Sequence, residues 1–533
     1  MLISKQKNMD VKAKEDEKVI IGILQSPKGV FNPIYFESQY DRYILNYTFE
    51  PLFTYDKYME LSIPVLATDW KFIEGYKKLY VQLRKDVLWH DNEKFTAEDV
   101  IFTYEMIASQ SYKGARLYTI SNIKGVYEKS KGLESSIKGI EKINDYEFII
   151  EFTTPNSTAL AKLAQISPIP KHVFEKISPQ EIGKYLRTCK KPIGNGPYKF
   201  KEIKDLSCIE LERNENYFLE NKPFINNINI QTINKGDVLS LLKQEKVHCI
   251  TSIPPEMYDE LMLLENIEIK ETPALSYQYL GFKVNNEKLC DIHLRKAISL
   301  CIDRDLIVRE LLLNHAVVIN QPIPKNCWAY NKELEKKEYY NPELAKEILF
   351  KSGYKDINHD NFLESPSGEE IVLNLDYPIG DSVRERVVLC IKNDLENIGL
   401  KVQINNPRTF DQHSQAIQND QVEMWLSGWN MSPDPDTAVS GVWRSTDKFN
   451  YSRWINDKSD LYIEEASIGE QAMDNSVRRE IYARWTELVY EEAPCVFLYS
   501  QNLIEAFNIN IRGVNFDWRG GIDSRGVINW YLE

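Results

Sequence analysis

Strand and helix patterns alternate along most of the chain, and this alternation constrains the fold more than any other feature of the sequence. Short apolar runs, as at 19–24 and 148–152, predict strands, whereas helical periodicity predicts helices, as at 383–397. Chains with this pattern form α/β lobes. Since one hydrophobic core stops growing at about 250–300 residues, we expect the 533 residues to divide into two or three lobes.

The charge and the apolar content exclude several classes of protein. The net charge is −14, from 65 Lys and Arg against 79 Asp and Glu, so the chain lacks the basic excess of nucleic-acid binders. Residues 1–18 are polar, contain no apolar segment of the kind found in signal peptides, and predict a flexible leader. No stretch reaches the ~20 apolar residues of a membrane span. A content of 10 Trp, 30 Tyr and 21 Phe excludes a disordered chain and leaves material for a ligand cavity.

Motifs of catalysis and of metal binding are missing from the sequence. The seven His are scattered, and neither HExxH, Gly-x-Ser-x-Gly nor a phosphate-binding loop occurs, so we expect no enzyme and no cofactor. The eight Cys form no CxxC pair and predict buried free thiols, although the sequence leaves one disulfide open. The run 356–360 begins like a calcium loop, but Asn361 replaces its glycine and Ser367 its final glutamate, so a solvated turn is predicted.

Nine short blocks, in this order, resemble the peptide-binding subunits of ATP-binding-cassette (ABC) importers, which are extracellular solute-binding proteins of family 5. Each block alone is a weak signal, but their common order along 19–533 is specific. The blocks are 46–53 (NYTFEPLF), 64–70 (PVLATDW), 83–91 (LRKDVLWHD), 95–100 (FTAEDV), 194–200 (GNGPYKF), 212–218 (ERNENYF), 291–304 (DIHLRKAISLCIDR), 398–400 (IGL) and 434–436 (DPD).

The resemblance implies a bilobed α/β fold like that of the periplasmic binding proteins, of type II and of the three-domain peptide-binding subclass, with two hinge strands. Domain II would be 56–189 and domain III would be 276–499. The strongest turn signal of the chain, the Pro- and Gly-rich cluster at 190–197, falls on one of the implied crossings. Domain I would combine 19–55, 190–275 and 500–533.

In this family the ligand peptide lies extended and pairs with a strand just after a Gly-Trp dipeptide, which here is Gly428-Trp429. Gly428 would let another backbone approach closely, and Trp429 would offer a flat wall. The alternative for Trp429 is ordinary core packing. The stretch that the resemblance assigns to the ligand is Ser427, Gly428, Trp429, Asn430, Met431 and Ser432.

One substitution departs from the family pattern. Members that hold the α-amino group of a peptide use an Asp three residues after this Trp, and here the position is Ser432. A hydroxyl accepts a hydrogen bond but cannot neutralise an ammonium group. Asp434 either supplies the missing charge or caps a turn with Pro435 and Asp436, and the sequence leaves both open.

Further ligand contacts are implied by the resemblance, and for each of them packing is an equally good explanation. Tyr499 lies near the second implied hinge, and Trp443 and Arg444 follow the Asp-Pro-Asp turn. Tyr118 lies in the stretch of domain II, and Gln39 in the stretch of domain I, that would line the ligand cleft.

The resemblance also implies the function. We expect a monomeric receptor outside the cytoplasmic membrane that captures oligopeptides and delivers them to the membrane permease of an ABC importer. A lipidated Cys preceding residue 1 would anchor it at the cell surface, with the leader as a spacer. The alternatives are a receptor of the same fold for a nickel chelate or a sugar, and a sensor of signalling peptides.

Overall fold

The structure, a computed structural model, describes residues 18–36, 38–178, 181–189, 191–439, 441–522 and 525–533. Of the predicted leader, only Lys18 lies within these ranges, and it opens the first strand. The chain divides into two compact units, one of residues up to Thr272 together with Leu503–Glu533, the other of Pro273–Asn502. The further division of the first unit into domains I and II stays a prediction. None of the described helices is long and apolar enough to cross a membrane.

The first unit contains a mixed sheet and a separate four-stranded antiparallel sheet. Its strands are β1 Lys18–Ile23, β2 Phe53–Thr54, β3 Ile63–Pro64, β4 Ala67–Ile73, β5 Lys78–Leu83, β6 Ile140–Asn144, β7 Glu147–Glu151, β8 Tyr198–Asp205, β9 Cys208–Arg213, β10 Asn227–Thr232, β11 Cys249–Ile250 and β12 Ile267–Pro273. Its helices are α1 Gln39–Thr48, α2 Ala97–Ile107, α3 Leu117–Ile120, α4 Val126–Ser130, α5 Ala159–Leu163, α6 Lys171–Phe174, α7 Ile182–Thr188, α8 Val238–Lys243 and α9 Tyr258–Leu261. The mixed sheet has the order β11-β1-β10-β9-β8, and the antiparallel sheet has the order β4-β5-β7-β6.

Local sequence signals explain several elements of the first unit. In β5, inward and outward residues alternate, as expected for a strand with one buried face. Helix α2 begins with a capping box, in which Thr96 and Asp99 each bond the backbone N–H of the other. At the predicted turn, the backbone N–H groups of Asn195 and Gly196 donate to Thr48 O at the end of α1, at 3.1 and 3.0 Å. Lys190 lies outside the described residues.

The second unit is a six-stranded mixed sheet with helices on both faces. Its strands are β13 Ser276–Phe282, β14 Ala316–Val318, β15 Val372–Asp376, β16 Lys401–Ile404, β17 Met424–Asn430 and the first part of β18 Cys495–Asn508. Its helices are α10 Ile292–Cys301, α11 Arg304–Leu306, α12 Pro342–Lys351, α13 Ser382–Asn397, α14 Phe410–Gln418, α15 Asp436–Val439, α16 Asp457–Ser467 and α17 Asn475–Glu492. The order of the strands in this sheet is β16-β15-β17-β13-β18, with β14 paired to β18. Two further strands, β19 Ile511–Arg512 and β20 Tyr531–Leu532, belong to the first unit and pair with each other.

Two hydrophobic cores lie on opposite faces of this second sheet. One contains Leu280 and Leu426 from the strands, together with Val387 from α13. The other contains Tyr277 and Trp425, with the aromatic side chains of α17. Since successive residues of a strand point to opposite faces, β13 and β17 contribute to both cores. Burial on both faces extends over most of β13 but only over Met424–Leu426 of β17.

The eight cysteines differ in their exposure. All eight Cys are free, so the disulfide that the sequence left open is not formed. Four of them, Cys249, Cys301, Cys327 and Cys495, are buried, whereas Cys290 is exposed and departs from the prediction. In the part of the chain that the structure describes, no group of three or more His, Cys, Asp and Glu could hold a metal ion.

Candidate functional site

Among the described residues, the C-terminal half of β17, which is the predicted ligand strand, has one edge without a partner strand. Along one side, β17 pairs antiparallel with β13 over its whole length, from Met424 opposite Phe282 to Asn430 opposite Ser276. Along the other side, it pairs with β15 only at Met424 and Trp425 within the described residues. Beyond Trp425, this side of β17 therefore offers its backbone to a further strand.

The phase of the ladder shows which backbone groups face that edge. Met431 N donates to Leu275 O at 2.8 Å. The backbone N–H and C=O groups of Met431, and of every second residue before it, therefore form hydrogen bonds with β13. The backbone N–H and C=O groups of the residues between them point away from β13. Leu426 O accordingly accepts a hydrogen bond from His413 Nε2 at 2.9 Å and not from a strand. Gly428 and Asn430 share this phase, so their N–H and C=O groups face the unpaired edge. An extended peptide can pair with such groups.

Gly428 makes room for a side chain that was not predicted to be near it. A Cβ at Gly428 would lie 2.4 Å from Gln278 Nε2 and 2.9 Å from Gln278 Oε1. Gln278 lies directly opposite Gly428 on β13, and its amide occupies the space that a larger residue would fill. The sequence predicted that Gly428 leaves room for a ligand backbone. On this face of the sheet, Gln278 fills the space beside Gly428, and the approach of a ligand backbone to the glycine stays a prediction.

Through Gln278, the first turn of α13 joins this end of the sheet. Arg384 donates to Gln278 Oε1 from Nε at 3.1 Å and from Nη2 at 2.8 Å. Tyr499, one of the predicted site residues, lies opposite Gln278 on β18 and is 2% exposed. Burial raises the pKa of Tyr499 above its ordinary value, and the nearby charge of Asp381 raises it further while Arg384 lowers it. Gly428, Gln278, Tyr499 and Arg384 thus form one group on one face.

Gln278 and Arg384 were not predicted from the sequence, although each carries a local signal. Gln278 is the one amide in the aromatic and aliphatic run of β13. Arg384 is a cation in the first turn of a 16-residue helix, where the helix dipole favours anions. An amide is thus unusual in this apolar strand, and a cation is unusual at the start of a helix.

Trp429 and Ser427 point to the other face of β17. Trp429 lies opposite Tyr277, and Ser427 lies opposite Tyr279. The half-buried indole of Trp429 packs against Phe449 with ring centroids 5.6 Å apart. Trp429 is thus partly packed and partly accessible, at the strand whose edge is unpaired, and its role as a wall for the ligand stays a prediction.

Asp434 is paired inside the second unit. Arg478 on α17 donates to both carboxylate oxygens of Asp434, at 2.7 and 3.0 Å, and the two residues are 3% and 8% exposed. Burial by itself lowers the pKa of Arg478, but the charge of Asp434 raises it above its ordinary value. Asp436 N donates to Asp434 Oδ1 at 3.0 Å, which is the capped-turn alternative. Asp434 therefore has its charge neutralised within the protein, and Ser432 beside it is half-buried.

Trp443 and Arg444 lie in the packed interior of the second unit or against it. Trp443 is 3% exposed, and its ring centroid lies 6.3 Å from that of Trp454 and 6.4 Å from that of Trp485. Arg444 Nη2 donates to Ser467 Oγ at 3.2 Å. These contacts favour packing, the alternative given above for both residues, over contact with a ligand.

The two predicted site residues of the first unit are exposed. Gln39 is the first residue of α1, after the N-cap Ser38. The ring of Tyr118 is on α3, 48% exposed, and its hydroxyl donates to Gln165 Oε1 at 2.7 Å. Both side chains are accessible to a ligand, and their contact with one stays a prediction.

A comparison with protein families identifies the class of this protein. The model of the bacterial extracellular solute-binding proteins, family 5, matches residues 62–450, which is more than half of the chain. The chain therefore belongs to this family, and the resemblance stated from the sequence blocks is confirmed, as is the α/β fold class of these binding proteins.

Particular relatives match the chain over almost its full length. The oligopeptide-binding protein AppA of Bacillus subtilis is 26% identical over 98% of this chain and 92% of its own length. The dipeptide-binding protein of Escherichia coli is 24% identical over 96% and 94%. The structure of AppA in complex with a nonapeptide matches with a TM-score of 0.80 over 98% of this chain and 100% of that one. NikZ of Campylobacter jejuni in complex with Ni(L-His) matches at 25% identity and a TM-score of 0.77, over 96% and 99%.

Proposed function

We propose that this protein is the receptor of an ABC importer, and that it captures oligopeptides outside the cytoplasmic membrane for delivery to a membrane permease. The observation that carries the proposal is the unpaired edge of β17, where the backbone groups of Gly428 and Asn430 face outward. Main-chain pairing at such an edge provides affinity without reading a particular side-chain sequence. The likeness to AppA, an oligopeptide-binding protein, supports peptides as the ligand class.

A nickel chelate is the less favoured ligand. The NikZ structure holds Ni(L-His), but its likeness to this chain is matched by that of the peptide-bound AppA structure. The unpaired edge of β17 offers alternating donors and acceptors, which suit a peptide backbone better than a compact chelate. A receptor that senses signalling peptides would use the same edge, and only its downstream partner would differ.

The membrane partners follow from the same proposal. We propose that the receptor acts as a monomer and docks on the permease subunits of the importer. A lipid anchor at the cell surface is the attachment that the resemblance implies. Neither step requires a cofactor or catalysis by the protein.

Replacing Trp429 by alanine is expected to weaken peptide binding roughly tenfold or more, because a large rigid contact surface beside the ligand strand is removed. Isothermal titration of the purified protein with a synthetic nonapeptide measures the change, and circular dichroism checks that the variant is folded. Phe410→Ala is the matched control, since Phe410 is 62% exposed in the same unit and lies outside β17. Unchanged affinity in the Trp429 variant would assign Trp429 to packing alone.

A further inference from the structure

Three polar side chains of the first unit lie around the hydroxyl of Tyr112. This hydroxyl donates to Ile34 O at 2.5 Å and accepts from Arg116 N at 3.1 Å. Burial raises the pKa of Tyr112 above its ordinary value, while the backbone N–H and the charge of Arg116 lower it. The nearby hydroxyls of Tyr35 and Tyr118 raise the same pKa. One arginine and three phenols therefore form a single cluster.

The backbone beneath this cluster is fixed by close packing. After β1, Asn32 O accepts from Phe36 N at 3.0 Å, and Asn32 Oδ1 accepts from Ile34 N at 3.0 Å. A Cβ at Gly114 would lie only 2.6 Å from Ile34 O. The glycine thus allows the stretch before α3 to pack directly on the turn after β1, and the side chains of both segments are brought together.

Arg116 is a cation without a carboxylate partner among the described residues. Its guanidinium stacks on the ring of Phe36, with 4.1 Å between Cζ and the ring centroid, and is half-buried. Stacking holds a guanidinium in place but leaves the N–H donors along its edge available. Arg84, which stacks in a similar way on Phe218, also pairs with Asp86. The donors of Arg116 have no such acceptor.

The hydroxyl of Tyr35 is a second donor without an acceptor in the part of the chain that the structure describes. Its half-buried ring packs against Tyr112 with the ring centroids 5.1 Å apart. Burial raises the pKa of Tyr35 to about 12, so the hydroxyl keeps its proton at neutral pH and can donate it to an acceptor. The hydroxyl of Tyr118, in contrast, already donates to Gln165 Oε1. A guanidinium and a phenol with available donors thus lie beside Tyr112.

We propose that Arg116 and Tyr35 form an anion site that binds a carboxylate of the ligand, either an acidic side chain or the terminal carboxylate of a bound peptide. The planar donors of a guanidinium match the two oxygens of a carboxylate, and a phenol adds a further donor. Tyr112 and Phe36 are positioning residues, since Tyr112 bonds the backbone of Arg116 and Phe36 supports its guanidinium. The proposal rests on the proposed function, because it assigns a group of a bound peptide.

Matched peptides separate the two sources of the carboxylate. One series consists of amidated hexa-alanine peptides in which Glu or Gln replaces each alanine in turn, and a second pair compares hexa-alanine with its amide. Isothermal titration is done with the intact protein, with Arg116→Gln and with Tyr35→Phe, and circular dichroism checks that each variant is folded. The control is Lys113→Gln, which removes an exposed cation three residues before Arg116.

In the unmodified protein, at least one carboxylate, in the Glu series or at the free end, is expected to strengthen binding about tenfold over its neutral counterpart. Arg116→Gln should abolish this preference and leave the affinity for neutral peptides unchanged. Tyr35→Phe should reduce the preference, and Lys113→Gln should retain it. Arg116→Lys keeps the charge and should bind the acidic peptide more tightly than Arg116→Gln does.

Two results would contradict the anion site and leave the proposed peptide receptor intact. The first is that every preference for a carboxylate survives in Arg116→Gln, and the second is that the unmodified protein binds acidic and neutral peptides equally. Failure of every peptide to bind to the unmodified protein would overturn both the anion site and the proposed receptor.

Discussion

Replacing Arg478 by leucine is expected to lower the free energy of unfolding by about 3–5 kcal/mol, because Asp434 would remain as a buried charge without its partner. Arg478 also donates from Nε to Ala466 O at 3.0 Å, and its guanidinium lies 5.1 Å from the ring centroid of Trp328. One side chain therefore connects α17, α16 and the turn that follows β17. Urea unfolding monitored by circular dichroism measures the loss.

Two further variants test whether the loss of stability is specific to the pair of Arg478 and Asp434, and whether Asp434 contributes to ligand binding. Arg479→Leu changes the adjacent, exposed arginine of α17 and should leave the stability nearly unchanged. Asp434→Asn should cost stability with little selective loss of peptide affinity, since Arg478 already neutralises the carboxylate. If Asp434→Asn kept its unfolding midpoint but lost peptide binding, the carboxylate would belong to the ligand site and not to the fold.

Replacing Gly194 by alanine is expected to destabilise the first unit by about 3 kcal/mol, because the added methyl group cannot be accommodated. A Cβ at Gly194 would lie 1.9 Å from the backbone oxygen of Thr48. The turn would have to move away from α1 and lose its bonds to His90, whose N donates to Gly194 O at 2.8 Å and whose Nδ1 accepts from Gly194 N at 3.1 Å. Burial lowers the pKa of His90 to about 4, so the ring is neutral at pH 7 and Nε2 donates to Gly196 O.

The control for this variant is Gly236→Ala. Gly236 is exposed, and no atom lies within 4 Å of the position its Cβ would take, so the substitution should be close to neutral. The measurement is the thermal unfolding midpoint of both variants. Equal midpoints would mean that the turn adapts to a side chain and that its contact with α1 contributes little.

The elements that were predicted well are those set by local signals. The helix predicted at 383–397 is α13 Ser382–Asn397, with Asp381 as its N-cap, and the strand predicted at 19–24 is β1 Lys18–Ile23. The amphipathic stretch 291–313 contains the helices α10 and α11. It divides after α10 because Asp303 caps a new turn by accepting from Leu306 N.

The length and the pairing of strand β18 were not predicted, although the resemblance implied a hinge near Tyr499. Its first residues, Cys495–Ser500, are all buried, so the alternation that identifies a half-buried strand is missing. Its partners are distant in sequence, with β13 and β14 along one part and β11 along another. Pairings of this kind depend on the whole topology and not on the residues of the strand itself.

The candidate site was predicted only in part, because several of its contacts also join residues that are distant in sequence. The strand Ser427–Asn430 could be found from its resemblance to a family block, and it lies in β17 as expected. That its outer edge is unpaired depends on where β15 ends, and the contact of Arg384 with Gln278 joins residues 106 positions apart. The pairing of Asp434 with Arg478 spans 44 positions, and it resolved an ambiguity that the Asp-Pro-Asp turn alone could not.

The central claim, that this protein binds oligopeptides through their backbone, is tested most directly by native mass spectrometry of the purified protein before and after mild denaturation. A receptor with loose readout of side chains should carry a mixed set of peptides, visible as a distribution of masses above that of the protein and released as peptides on unfolding. Release of a single non-peptide species, such as a nickel chelate or a sugar, would contradict the claim.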